Sequence, residues 1–376
     1  MKEYRFTGKP LITEQDIDYV KSALLTNNLN TGTIVKKFEN SLEKYINVKH
    51  AVLVSNGSVA LYLALKALGI KQGDEVITTP LTYIATTNAI SLLGAKPIFA
   101  DIDRETFQLD PNKVEEKISK KTQAILPVDL GGNTCEYEKF TEICKRYNLK
   151  LLIDSAQSLS AKYDNKYACS FGDIATTSFH PVKPITTGIG GCIFTQNDDI
   201  YSKLLCLRKN GLMYGNYEGI QIYDCIETSL NYQMSDIEAA LGLSQLTRID
   251  EMRKKRKKIF ESYKAKIELL PHVTLQKTAP YIESSYHLCL CKLDSSIDRD
   301  DLFNYMQSKK IAVNYHYPLI CNMSNYKEIR SYDLKNAREY ASHAISLPLH
   351  AQMKEADVEY VIENLETYLN KKGKSL

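Results

Sequence analysis

A chain of 376 residues with 44% apolar content can bury more than one core, and its length points to a large domain, 1–250, with a smaller one, 251–376. A formal net charge of +3 over that length is close to neutral and does not predict nucleic-acid binding, although it would not hinder an anionic ligand. Nine cysteines without a CxxC pair exclude a disulfide framework, no run of about 18 apolar residues exists to span a membrane, and no apolar core follows Met1-Lys2-Glu3-Tyr4-Arg5. These features predict a soluble cytoplasmic protein with reduced thiols and no metal.

Thr13-Glu14-Gln15-Asp16 reads as a capping box ahead of Ile17, Val20 and Leu24 at helical spacing. Alternation follows. Apolar runs at Ala51 to Val54, Glu75 to Thr78, Pro97 to Ala100, Ala124 to Val128 and Leu151 to Ile153 are separated by helical stretches. That pattern predicts an α/β fold whose mostly parallel sheet is covered on both faces. The runs end in Ser55-Asn56, Thr78-Thr79, Asp101, Asp129 and Asp154, and the carboxyl ends of such strands form the ligand crevice. All five ends are therefore expected to outline one site. Ser235-Asp236-Ile237-Glu238 opens a further helix to about Leu246. The cluster Arg253 to Lys258 reads as the polar face of a long helix, and the domain change is placed near 250. Beyond it, strands are expected at Tyr286 to Leu293 and Ile311 to Tyr315, with helices at Arg299 to Ser308 and Lys354 to Leu369.

Chemistry concentrates at four places. Ser55-Asn56-Gly57-Ser58 turns into a helix whose free N–H groups suit a phosphate at Gly57 and Ser58, although such a turn also serves as a plain N-cap. No GxxxxGK[ST] and no strand-following GxGxxG is present, which excludes a P-loop and a nicotinamide fingerprint. Tyr83 lies just past the second strand, where it can stack on a flat ring or simply pack. Asp154 closes a very apolar strand and needs a cationic partner, either a protonated heteroaromatic nitrogen or a basic side chain. Lys183 sits between Pro181 and Pro184 in a rigid, small-residue loop, as an amine must when it meets a carbonyl carbon at a fixed angle. Pyridoxal 5'-phosphate fits all four: phosphate, ring face, ring nitrogen and aldehyde.

Ser55 to Leu61, Thr79 to Ala89, Ser178 to Gly191 and Asn231-Tyr232-Gln233-Met234-Ser235-Asp236 together resemble the DegT/DnrJ/EryC1/StrS family of sugar aminotransferases, from about Ile12 to the C-terminus. The resemblance implies the type I pyridoxal-phosphate transferase fold, aspartate aminotransferase-like, with a large seven-stranded sheet and a smaller C-terminal α+β domain. It implies that Lys183 binds the cofactor's aldehyde and serves as the catalytic acid/base. Asp154 would pair with the ring nitrogen, Gln157 would bond the phenolic oxygen, and Ser178 would join Gly57 and Ser58 at the phosphate. Asn231 would reach the partner's site in a homodimer. The segment Ser178-Phe179-His180-Pro181-Val182-Lys183 resembles members that aminate C4 of nucleotide-linked 4-keto-6-deoxy sugars, with glutamate as donor. Pro127-Val128-Asp129 with Gly131-Gly132 is similar to the pseudaminic-acid-pathway member, which implies a UDP sugar. By the same resemblance His180 lines the sugar pocket, the alternative being a core histidine. The loops Met213 to Tyr223 and Tyr315-His316-Tyr317-Pro318 are expected to contact base and sugar. The chain departs from the family at Ile189, where Glu is usual, at Ser58 for Thr, and at Asn210 for His. A C3-acting member and a sugar dehydratase are the alternatives; the dehydratases carry His in place of the lysine.

Overall fold

A computed structural model describes residues 8, 10–26, 28–217, 220–329 and 333–373. The expectations about Met1 to Arg5 and about positions 218–219 lie outside the described residues. Seven strands, numbered here within the large sheet, form its frame: β1 His50–Val54, β2 Glu75–Thr78, β3 Lys96–Phe99, β4 Thr122–Leu126, β5 Lys150–Asp154, β6 Ile174–Ser178 and β7 Gly191–Thr195. Their order is β1-β7-β6-β5-β4-β2-β3. Only β7 runs against its neighbours β1 and β6; β2 to β6 pair in parallel. The strands nearest the middle are buried almost along their whole length, because helices cover both faces. Leu53, Ile125 and Ile153 join one core, Val54, Leu126 and Leu152 the other, which is the period-two alternation of a doubly covered sheet.

Both capping boxes form. The Thr13 N–H donates to the Asp16 carboxylate at 2.8 Å, opening helix Glu14–Leu24. The Ser235 N–H donates to Glu238 at 2.9 Å, and the Glu238 N–H to the Ser235 hydroxyl at 3.2 Å, opening helix Asp236–Leu246. The two helices pack together, and Asp16 accepts from Ser244, Gln245 and Arg248 of the second helix and its end.

A second sheet pairs Val273–Leu275, Cys289–Leu293 and Ala344–Leu347 antiparallel, in that spatial order. Helices Arg299–Ser308 and Glu355–Gly373 build its core with the distal half of helix Ile249–Ile267. That long helix serves two cores: Ile249 and Met252 belong to the large one, Ile259, Tyr263 and Ile267 to the small one. The strand expected at Ile311 to Tyr315 does not form. The Val313 N–H turns back onto the Ile311 carbonyl at 3.0 Å, and Asn314 pairs with Ser346 as an isolated bridge. The basic cluster is not uniformly solvated either, since Arg256 is buried on the helix's inner face.

Candidate active site

A cavity of about 880 Å³ opens at the carboxyl ends of the parallel strands. Gly57, Ser58, Tyr83, Asp154, Gln157, Ser178, His180, Lys183, His316 and Tyr317 all line it. Asn231 does not; it lies exposed, with its side-chain carbonyl accepting the Gln233 N–H at 3.2 Å. Of the five polar strand ends, those at Asn56 and Asp154 reach the cavity. Asp101 instead caps helix Lys335–His343 by accepting the Asn336 and Ala337 N–H groups, at 2.9 and 2.8 Å. Asp129 accepts from Tyr137 and Ser158 at 2.5 Å each and from Ser155 at 3.0 Å, a buried structural knot. The Thr78 hydroxyl is spent on the Leu126 carbonyl at 2.7 Å. A polar residue after a strand either faces the crevice or ties loops beneath it, and the strand pattern cannot distinguish the two.

Gly57 and Ser58 begin the helix Gly57–Ala67, behind the N-cap Asn56, whose side chain accepts the Val59 N–H at 2.9 Å. The first N–H groups of a helix have no partner within it and present the positive end of its dipole. A Cβ on Gly57 would stand 2.8 Å from the Ser178 Cβ, so glycine is what lets Ser178 approach the turn. Gly191 serves the same junction, since a Cβ there would stand 2.6 Å from the Asn56 carbonyl.

Asp154 is 4% exposed at the end of β5. Its carboxylate accepts from the Thr86 hydroxyl at 2.8 Å and from the Ala156 N–H at 3.1 Å. Burial raises its carboxyl above the usual range, opposed by those two hydrogen bonds and by the charge of Lys183. Lys183 closes the turn after β6 through its N–H to the His180 carbonyl at 2.9 Å. Loss of hydration pulls its amine down to about 8, against the upward pull of Asp154. Gln157 is fixed at both ends: its side-chain carbonyl accepts the Gly131 N–H at 2.8 Å and its amide donates to the Tyr317 hydroxyl at 3.2 Å. The Tyr83 and Tyr317 rings lie 6.4 Å apart, and Tyr83 is 61% exposed, so it is not a core residue. His180 is exposed too, which sets aside the core-histidine alternative. His316 contacts the Ser346 hydroxyl at 2.6 Å, and burial with the nearby Lys183 lowers it to about 4.

The profile of the DegT/DnrJ/EryC1/StrS aminotransferase family matches residues 10–366. The chain belongs to this family. GDP-perosamine synthase of Escherichia coli O157:H7 is 35% identical over 366 residues, covering 97% of this chain and 98% of the relative. The UDP-4-amino-4,6-dideoxy-N-acetyl-beta-L-altrosamine transaminase of Campylobacter jejuni is 36% identical over 369 residues, covering 96% of each. Spr1654 of Streptococcus pneumoniae, solved in its PLP form, superposes with a TM-score of 0.91 at 29% identity, covering 97% of this chain and 98% of that one. The chain is thus a pyridoxal-phosphate-dependent aminotransferase of the nucleotide-sugar class, with the type I fold.

In this member of the DegT/DnrJ/EryC1/StrS family, sequence reasoning missed Thr86. Its hydroxyl bonds both Asp154 and the Thr82 hydroxyl, the latter at 3.0 Å. Thr82 precedes helix Ala85–Leu92 and Thr86 lies in its first turn, so no helical spacing in the sequence marked the pair. Asn314 was missed too and lines the cavity from a segment expected to be a strand, next to Tyr315, which was expected among the ligand contacts and also lines it. Ile189, expected from the resemblance to be a departure from the family, borders the cavity and is 53% exposed.

Proposed function

We propose that this chain moves an amino group from glutamate to the C4 keto carbon of a nucleotide-linked 4-keto-6-deoxy sugar, with UDP as the nucleotide. The observation that carries the reading is Lys183 and Asp154 in one cavity, the amine held near neutrality and the carboxylate buried with Lys183 as its basic neighbour. The residues fit pyridoxal phosphate. The helix N-terminus at Gly57 and Ser58, with Ser178 beside it, offers donors to a phosphate; Asp154 offers an acid to a ring nitrogen; Tyr83 offers an exposed ring face. When bound, the cofactor supplies an aldehyde that carries the amino group and a ring that withdraws electrons from the reacting carbon. Asp154 would hold the ring nitrogen and favour its protonated form, and Gln157, braced by Gly131, would offer its amide to the ring's oxygen. Lys183 Nζ takes the proton from the α-carbon of the amino donor and delivers it to the carbon that receives hydrogen. His180, His316 and Tyr317 border the space left for the sugar. The C4 position draws on the Lys183 segment and on the altrosamine transaminase's name; the similarly related GDP-perosamine synthase makes a GDP sugar the second reading.

Asn231 completes the site of a second copy. It stands outside its own cavity, and the antiparallel pair Leu212–Tyr217 and Ile220–Cys225 that precedes it in the chain exposes Met213 and Ile222 on one face, apolar groups that a partner would cover. The test is the absorbance of the PLP-loaded protein. Bleaching by L-glutamate, recovery of colour with a UDP-linked 4-keto sugar, and neither in Lys183→Ala is expected. Loaded protein that ignores every amino acid would overturn the reading.

A further inference from the structure

Threonines within helices of this chain turn their hydroxyls back on the preceding turn: Thr141 donates to the Tyr137 carbonyl at 2.8 Å and Thr367 to the Glu363 carbonyl at 2.7 Å. That is the ordinary local bond of such a residue. Thr86, in the first turn of helix Ala85–Leu92, does otherwise. It is buried, it lines the large cavity, and its hydroxyl crosses to the Asp154 carboxylate, 68 positions along the chain. A hydroxyl has one proton to donate, and ionised Asp154 takes it. In the 3.0 Å contact between the two threonine hydroxyls it is therefore Thr82 that donates. Thr82 is buried and lines the cavity as well, so Thr82, Thr86 and Asp154 form a one-way run of donors in which each bond polarises the next. The run ends on Oδ2 of the carboxylate, while Oδ1 accepts the Ala156 N–H at 3.1 Å. With both oxygens tied to the protein, the carboxylate plane is fixed and its remaining lone pairs are left for the cavity.

A buried acid facing a ring nitrogen can share one proton with it in two ways. Either the nitrogen carries the proton opposite a carboxylate, or the acid carries it opposite a neutral ring. Burial favours the second, uncharged pair, and only the first makes the ring a strong electron sink. Hydrogen bonds donated to the carboxylate favour the first. Lys183 acts in the same direction only while its own amine is charged, and burial pulls that amine down to about 8. Tyr317 and Cys169, the other titratable groups that feel the charge of Asp154 among the described residues, are pushed up by burial and stay neutral. The Thr86 and Ala156 donors are present at every pH, and Thr86 is the one supplied by a side chain.

We propose that Thr86, backed by Thr82, is a positioning residue that aims the Asp154 carboxylate and keeps the shared proton on the cofactor's ring nitrogen; this rests on the pairing of Asp154 with that nitrogen proposed above. Two signals test it, neither of them activity. In the apo-protein, the carbon-13 signal of the Asp154 carboxyl, identified by its loss in Asp154→Asn, should titrate about one pH unit or more higher in Thr86→Val than in wild type, because the ionised form loses a donor. In protein loaded with nitrogen-15-labelled PLP, Thr86→Val should move the ring-nitrogen signal toward its unprotonated position. Thr86→Ser, which keeps the hydroxyl, should return both signals close to wild type. A folded Thr86→Val that leaves either signal where wild type has it overturns the proposal, as does a Thr86 that lowers stability alone. If Thr86→Val does not fold, Thr82→Val decides: it strips the donor behind Thr86 and should move both signals the same way by less, and no movement overturns the proposal. Asp154→Asn separates the wider reading. A ring nitrogen indifferent to Asp154→Asn sinks the pairing itself, whereas one that responds to Asp154→Asn but not to Thr86→Val sinks only the role of Thr86.

Discussion

At the scale of single residues, the site works by removing water from a lysine and a carboxylic acid that share one space. Lys183 attacks a carbonyl only as the neutral amine, and that form grows as pH rises through about 8. Borohydride trapping of pyridoxal phosphate by the apo-protein should therefore increase with pH, with its midpoint near 8. Asp154 pulls the amine upward, so Asp154→Asn should move that midpoint down. By linkage, the unfolded chain binds a proton that the folded lysine has lost between about 8 and the ordinary 10.5, so this residue makes stability rise with pH across that window. Lys183→Ala should abolish that slope in denaturant titrations and lower amino transfer by about 10²-fold or more, read as product sugar by chromatography.

At the scale of elements, charges placed at helix ends and strand ends hold the site's frame. Asp236, the first residue of helix Asp236–Leu246, also accepts the Gly32 and Val35 N–H groups, at 2.9 Å each, and so caps helix Thr33–Ile46 from far along the chain. Asp236→Ala should cost about 3 kcal/mol in urea unfolding, because buried N–H groups lose a charged acceptor. Glu39, 3% exposed, accepts from Arg208 at 2.5 Å and from the Leu53 N–H at 3.1 Å, pinning β1 to the helix before it. Arg208→Ala leaves that buried carboxylate with the half-exposed Lys36, at 3.6 Å, as its remaining cation among the described residues and should cost about 3 kcal/mol, more than Arg208→Lys. The sequence showed Asp236 as the second residue of a capping motif. It did not show the remote helix that Asp236 also serves, because that contact spans some two hundred residues.

At the scale of the whole molecule, the proposed pairing of two copies can be tested by mixing. Lys183→Ala and Asn231→Ala homodimers should each show little amino transfer, but subunits of the two exchanged together should recover about a quarter of wild-type sites, since half of random pairs are hybrids with one intact site each. No recovery after verified exchange would mean that Asn231 serves its own chain. The sequence by itself determined the α/β class, a crevice at the strands' carboxyl ends, Lys183 as a residue of that crevice and the family, because these rest on local periodicity, turn chemistry and short motifs. Only the tertiary structure decided which strand-end acids face ligand: Asp101 and Asp129 have the same local pattern as Asp154, yet their partners, Asn336 and Ala337 for one and Tyr137, Ser155 and Ser158 for the other, arrive from separate loops or helices. It also turned Arg256 inward out of a run of solvated charges and brought Thr86 to Asp154. The physical reason is common to all three. Whether a polar group meets water, a neighbour or a cavity depends on what other segments pack against it, and no local pattern encodes that.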